Sequence, residues 1–297
     1  MIVEAPAKLN LSLRVLRRRD DGFHDIDSVM VSLPGLCDRI EIEAAEVDRF
    51  ECDVPGVPTD GSNLVLKALR LFREATGTED PLRVRLEKVV PHGAGLGGGS
   101  SDAAAMLRGL NEFFGSGLER ERLREMAASI GSDIPFFLGP PVGRVGGRGE
   151  RIEAGPPLPP LPVVLLKPGF GVATPDAYRA WKGARPVAGV GFEAQTFDWG
   201  ELVNDLERPV FAKHYFLAEM KEWLRERSEV AGALMSGSGS TMFAVLREPE
   251  EAAALIRAAR EELDPTLWVW SGLTAGSGAF HLSPEASAGW VAKGEAP

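Results

Sequence analysis

The stretch Pro91-His92-Gly93-Ala94-Gly95-Leu96-Gly97-Gly98-Gly99-Ser100-Ser101-Asp102 limits what this chain can fold into more than any other. Five of the seven residues 93–99 are glycine, a density that permits positive φ and lets backbone approach a ligand without Cβ interference. The alternating Leu82, Val84 and Leu86 lead into it as a strand, and the alanine-rich 100–114 leaves it as a helix. Such a unit aims the N–H groups of the turn and of the first helical turn at one point, where the helix dipole adds to them. The chemistry this predicts is phosphate binding. A flexible linker ahead of a capped helix would need neither the bounding proline, nor the embedded leucine, nor the alanine run.

The loop is not a Walker A sequence, because no Gly-Lys-Ser/Thr follows at the required spacing. It also lacks the βαβ context and downstream acid of a dinucleotide fingerprint. Ser100 and Ser101 can cap the helix, donate to phosphate or ligate Mg²⁺.

Around this unit the periodicities predict two α+β domains. Residues 7–15 alternate, with Leu9, Leu11, Leu13 and Val15 on one face and Lys8, Asn10, Ser12 and Arg14 on the other. Lys8 and Asn10 then point the same way, about 7 Å apart along a half-buried strand. A helical stripe occupies 62–76, with Ser62 or Asn63 as cap and Gly77 as terminator. A further helix covers 118–130. Five prolines between Gly155 and Pro162 mark the linker. Beyond it come a strand at 163–167, a helix opened by Thr174 and Pro175, and a helix near 214–227. A strand pair at 233–236 and 241–246, a helix at 249–263 and a strand at 267–273 follow. Domains of 1–155 and 163–275 result, with a tail at 276–297 that has little periodicity.

Composition narrows the partners. The chain of 297 residues carries 33 Lys plus Arg against 43 Asp plus Glu, a net charge of −10, which argues against a nucleic-acid surface. Neither a secretory leader nor an 18-residue apolar run is present, so no membrane partner is expected and the cytoplasm is the default. Cys37 and Cys52 have no companions for a disulfide framework or zinc site and read as small buried hydrophobes. No metal-ligating cluster is expected.

Pro91-x-x-x-Gly95-Leu96-Gly97-Gly98-Gly99-Ser100-Ser101 resembles the phosphate loop of the galactokinase, homoserine kinase, mevalonate kinase and phosphomevalonate kinase (GHMP) superfamily. Three more stretches are similar in order and spacing: Ala5-Pro6-Ala7-Lys8-Leu9-Asn10-Leu11, Gly131-Ser132-Asp133-Ile134-Pro135-Phe136-Phe137, and Ser236-Gly237-Ser238-Gly239-Ser240-Thr241. Together they reach across residues 5–246. The resemblance implies a ribosomal-protein-S5-like N-terminal α+β domain and a ferredoxin-like C-terminal α+β domain, with the active site in the cleft. It also implies ATP and Mg²⁺, with Pro91, Gly93, Ala94, Gly95, Leu96, Gly97, Gly98, Gly99, Ser100 and Ser101 binding the nucleotide. Asp21-Gly22-Phe23-His24 and Asn204-Asp205-Leu206-Glu207 are similar to one branch, which phosphorylates a cytidine diphosphate-linked polyol in non-mevalonate isoprenoid biosynthesis.

Each implied site residue has a plainer role to set beside it. Asp133 would cap a helix with Pro135 in its first turn; in the family it is the general base taking the hydroxyl proton. Lys8 would be a solvated strand residue; in the family it supplies positive charge beside Asp133. Asn10 would bind substrate or phosphate. His24 would read the cytosine edge, with Phe23, where the family often has Tyr, and Tyr178 stacking on the base. Gly237 and Ser238 would close over the phosphates, although hairpin geometry alone explains a tight turn. Arg17 to Arg19 read as a solvated turn. A homoserine or mevalonate type of kinase, and a non-catalytic nucleotide-binding regulator, are the alternatives. Both a monomer and a homodimer remain open.

Overall fold

A computed structural model describes residues 1–52 and 54–278. Most of the expected tail at 276–297 therefore lies outside the described residues. Strands β1 (Ile2–Arg18), β2 (His24–Ala44), β3 (Arg49–Glu51), β4 (Leu82–Glu87), β5 (Val142–Gly147) and β6 (Arg151–Ala154) build the first sheet. β7 (Pro162–Lys167) opens the second. The chain then returns to the first sheet through β8 (Gln195–Phe197) and β9 (Gly200–Asn204), and completes the second with β10 (Val230–Met235), β11 (Met242–Leu246) and β12 (Trp268–Leu273). The spatial orders are β3-β4-β2-β1-β9-β8, with β5 and β6 hung from β2, and β10-β11-β7-β12. Helices α1 (Leu64–Thr76), α2 (Gly98–Phe113) and α3 (Arg120–Ile130) accompany the first sheet. The remaining helices are α4 (Thr174–Ala180), α5 (Glu207–Lys213), α6 (Tyr215–Arg225) and α7 (Ala252–Glu262). This is the expected α+β architecture.

Local signals explain most boundaries. Asn63 caps α1 by accepting from the Val65 N–H, and Gly77 ends it in the left-handed region at φ 71°. The small residues of α2 let it lie close on the sheet: Ala103, Ala104 and Leu107 are fully buried with Ile40 and Ile42. A Cβ on Gly109 would stand 2.8 Å from both Val3 and Ile42 side chains. Each large aliphatic side chain buried there contributes on the order of 1.5–3 kcal/mol.

β1 departs from the expected single apolar face. Its pairing with β2 shifts between Asn10 and Ser12, which face Met30 and Val29 in turn. That bulge sends Leu9 and Leu11 into one apolar cluster and Leu13 and Val15 into the other. The polar face is covered as well, so Lys8 is 3% exposed and Asn10 1%. A solvated role for Lys8 is thereby overturned.

Other differences have equally local causes. α2 starts at Gly98, with Gly97 at its cap position and no side-chain cap, so Ser100 and Ser101 lie inside the first turn. The proline-rich link is fixed in place: Leu158 and Leu161 are buried, and their N–H groups donate to Ser277 Oγ (2.8 Å) and Thr274 Oγ1 (2.9 Å). Cys37 and Cys52 are half-buried rather than buried, and burial pushes the Cys37 thiol up to about 12. Arg17 and Arg19 do not simply face solvent; both pair with Asp25. Among the described residues no helix is long and apolar enough to cross a membrane.

Candidate active site

The glycine turn is held by its two apolar residues. Ala94 and Leu96 are buried in the second cluster, while Gly93 is exposed and Gly95 and Gly97 are half-buried. Gly95 sits at φ 76°, and a Cβ there would fall 2.1 Å from the Ser236 carbonyl oxygen. Gly97, at φ 72°, would place a Cβ 2.9 Å from the Phe137 ring and 3.0 Å from the Lys8 side chain. A side chain at either position would be strained by the positive φ and crowded by these neighbours. The turn is thus wedged between β1, the 3₁₀ turn at Ile134–Leu138, and the β10–β11 connection.

Lys8 stands at the centre of this wedge. Its ammonium donates to the Gly95 carbonyl oxygen at 2.7 Å and to Asn10 Oδ1. Asn10 in turn donates to Ser28 Oγ at 2.9 Å. Burial lowers the Lys8 pKa, and the Asp133 carboxylate works in the opposite direction. Asp133 occupies the cap position of the 3₁₀ turn, yet its side chain makes no capping hydrogen bond. Its carboxylate is therefore not spent on the plainer role.

Asp133 also raises the Tyr178 pKa, second to burial of the phenol. Tyr178 stacks on His24 with centroids 5.4 Å apart and 28° between planes, while Trp181 meets His24 edge-on at 5.8 Å. Burial, helped by Arg18, lowers the His24 pKa and keeps its ring neutral at neutral pH. Phe23 is not part of this stack; it is 49% exposed and lies under the Arg148 guanidinium, 5.0 Å from ring centroid to Cζ.

The turn at residues 236–239 roofs the site. A Cβ on Gly237 would stand 3.1 Å from Lys8 Nζ and 3.3 Å from Asn10 Oδ1. Ser236 Oγ donates to the same Gly95 oxygen at 3.0 Å, and Ser238 Oγ lies 2.8 Å from Thr174 Oγ1 at the start of α4. Trp181 lies outside every motif read from the sequence, whereas Ser236 opens the stretch 236–241.

Beneath the loop lies a cluster that spacing did not reveal. Lys88 donates to Asp38 and, at 2.8 Å, to Asp102 Oδ2, with all three buried. A Cβ on Gly98 would stand 3.1 Å from Lys88 Nζ. Ser101 Oγ and Asp102 Oδ1 are buried without a hydrogen-bond partner. Cavities of about 480 and 440 Å³ open elsewhere and include none of the predicted site residues. Among the described residues no cluster of three or more His, Cys, Asp or Glu stands ready for a metal ion.

The GHMP kinases N terminal domain family matches residues 63–139, and the GHMP kinases C terminal family matches 195–264. A 4-diphosphocytidyl-2-C-methyl-D-erythritol kinase of Methylacidiphilum infernorum (isolate V4) is 40% identical, across 89% of this chain and 93% of the relative. This chain belongs to the 4-diphosphocytidyl-2-C-methyl-D-erythritol kinase family. The kinase of that name from Pelotomaculum thermopropionicum is also 40% identical, across 84% of this chain and 90% of its own. A crystal structure of 4-(cytidine 5'-diphospho)-2C-methyl-D-erythritol kinase superposes with a TM-score of 0.75 at 36% identity, covering 93% of this chain and all of that one. A mevalonate kinase shares the fold, with a TM-score of 0.65 at 11% identity. Membership in the kinase family makes this chain a phosphotransferase acting on an alcohol.

Proposed function

We propose that this chain transfers the γ-phosphoryl group of ATP to the 2-hydroxyl of 4-diphosphocytidyl-2-C-methyl-D-erythritol, in non-mevalonate isoprenoid precursor biosynthesis. The observation that carries the reading is the buried Lys8 ammonium, bonded to the phosphate loop through Gly95 and electrostatically coupled to Asp133. A phosphoryl group between loop and carboxylate would meet the helix N-terminus on one side and a proton acceptor on the other.

In the proposed reaction the acceptor oxygen forms a bond to Pγ as the bond from Pγ to the bridging oxygen of ADP breaks. The hydroxyl proton passes to the Asp133 carboxylate, which no cap has claimed. Lys8 balances charge developing on the transferring group, and Asn10 fixes the direction of its ammonium. Residues 93–101 would hold the phosphates by backbone N–H groups. The neutral His24, stacked on Tyr178 and edged by Trp181, suits the edge and face of a cytosine. Mg²⁺ would arrive with ATP and neutralise its phosphate oxygens, and the unpartnered Ser101 Oγ fits a ligand role.

A coupled assay of ADP release with 4-diphosphocytidyl-2-C-methyl-D-erythritol, homoserine and mevalonate tests the reading. Turnover only with the cytidine-bearing alcohol is the expected result, and preference for either other alcohol would overturn it. Asp133→Ala is expected to lose about 10²–10⁴-fold in kcat while still binding an ATP analogue. Near-normal turnover would remove Asp133 from the role of base.

A further inference from the structure

Asn204 ends β9 and uses every polar atom of its side chain. Its Nδ2 donates to the carbonyl oxygens of Met235 and Gly237, each at 2.7 Å, and its Oδ1 accepts from the Leu206 N–H at 2.9 Å. Three residues on, Glu207 Oε1 accepts from the Met235 N–H at 2.9 Å. The other Glu207 oxygen takes the buried Lys221 ammonium, so the carboxylate is neutralised where it stands. The last residue of β10 is therefore gripped through both its N–H and its carbonyl.

The same segment also holds the strand that carries Lys8. β9 runs parallel to β1 with Asn204 opposite Leu13. The Asp205 N–H donates to the Leu13 oxygen at 2.9 Å, and Asp205 Oδ2 accepts from the Val15 N–H at 2.9 Å. One short stretch thus fastens β1 on one side and the turn at 236–239 on the other. Those two meet again at Lys8, where Gly237 leaves the ammonium its space and Ser236 shares the Gly95 oxygen.

We infer that Asn204 is a positioning residue that sets the turn at 236–239 against the Lys8 ammonium and, through Gly95, against the phosphate loop. It touches none of the reacting atoms. Its kinetic consequence rests on the kinase reading above; its structural consequence does not. A merely structural amide would lower stability without singling out these segments or the chemical step.

The test uses the full chain and Asn204→Ala. Amide hydrogen exchange in 94–97 and 236–241 is expected to accelerate roughly tenfold or more, with α1 and α3 unchanged, as local opening predicts. kcat is expected to fall about tenfold or more, because small misplacements near reacting groups are costly, with each KM moving less than about threefold. Should Asn204→Ala fail to fold, Asn204→Ser undergoes the same two measurements. Unchanged exchange at 236–241 in a folded variant overturns the inference, as does loss of activity only in proportion to unfolded protein. A wild-type chain inactive on the cytidine-bearing alcohol would overturn the kinase reading instead, and the exchange measurement would still decide the role of Asn204.

Discussion

Lys88 shows how far a side chain's role can lie from its appearance in the sequence. It follows β4 as one charge among several, yet it is buried between two carboxylates, Asp38 and Asp102, that lie 50 and 14 residues away. Asp38 uses its second oxygen for the N–H groups of Val89 and Val90. Burial raises the Asp102 pKa, and the Lys88 ammonium beside it works in the opposite direction. Removing the cation strands two buried carboxylates. We expect Lys88→Met to lose roughly 3–5 kcal/mol of stability by urea unfolding, with part of the loss restored when Asp102→Asn is added. Asp133, Lys8 and Asn10 were legible because the motifs around them are distinctive. The burial of Lys8 and Asn10 was not, since it depends on what the second sheet brings to cover β1.

Among the elements, the glycine turn is the one whose form follows most directly from its residues. Positive φ at Gly93, Gly95 and Gly97, a strand before and a helix after were all implied by composition and periodicity. Gly95→Ala is expected to weaken binding of a non-hydrolysable ATP analogue by about tenfold or more. Left-handed backbone costs an alanine on the order of 1–2 kcal/mol, and the Ser236 oxygen must also move. Isothermal titration measures the change, and unaltered affinity would separate the turn's shape from nucleotide binding. Elements lacking a clean period went unseen. β8 and β9 total only a few residues each, and α5, at Glu207–Lys213, carries a proline within it. β9 nonetheless carries Asn204, whose hydrogen bonds reach the turn at 236–239, while in the sequence the Asn204–Glu207 stretch is only similar to a family motif.

Across the whole molecule the two sheets share their interior. One apolar cluster contains Ile40, Ile42 and Phe136 of the first part together with Val164, Met242 and Leu255 of the second. Unfolding by heat is therefore expected to be one cooperative transition in a calorimeter; two separated peaks would indicate independently stable halves. The two-part reading of the sequence rests on the prolines at 155–162, across which the chain passes from β6 in the first sheet to β7 in the second, before β8 and β9 return to the first. Proline content reports what a segment cannot form, and it is silent on Leu158 and Leu161, which anchor this one in the core.

The return of β9 to the strand that carries Lys8 has a consequence for how the polypeptide may be divided. A break within 155–162 would separate Lys8 on β1 from β9, the strand that braces it, so neither fragment would own the whole of the proposed site. Mixed together, the fragments would have to reassemble around β1 and β9 before any phosphate could be passed on. Covalent continuity along the chain is thus less important here than which pieces lie side by side.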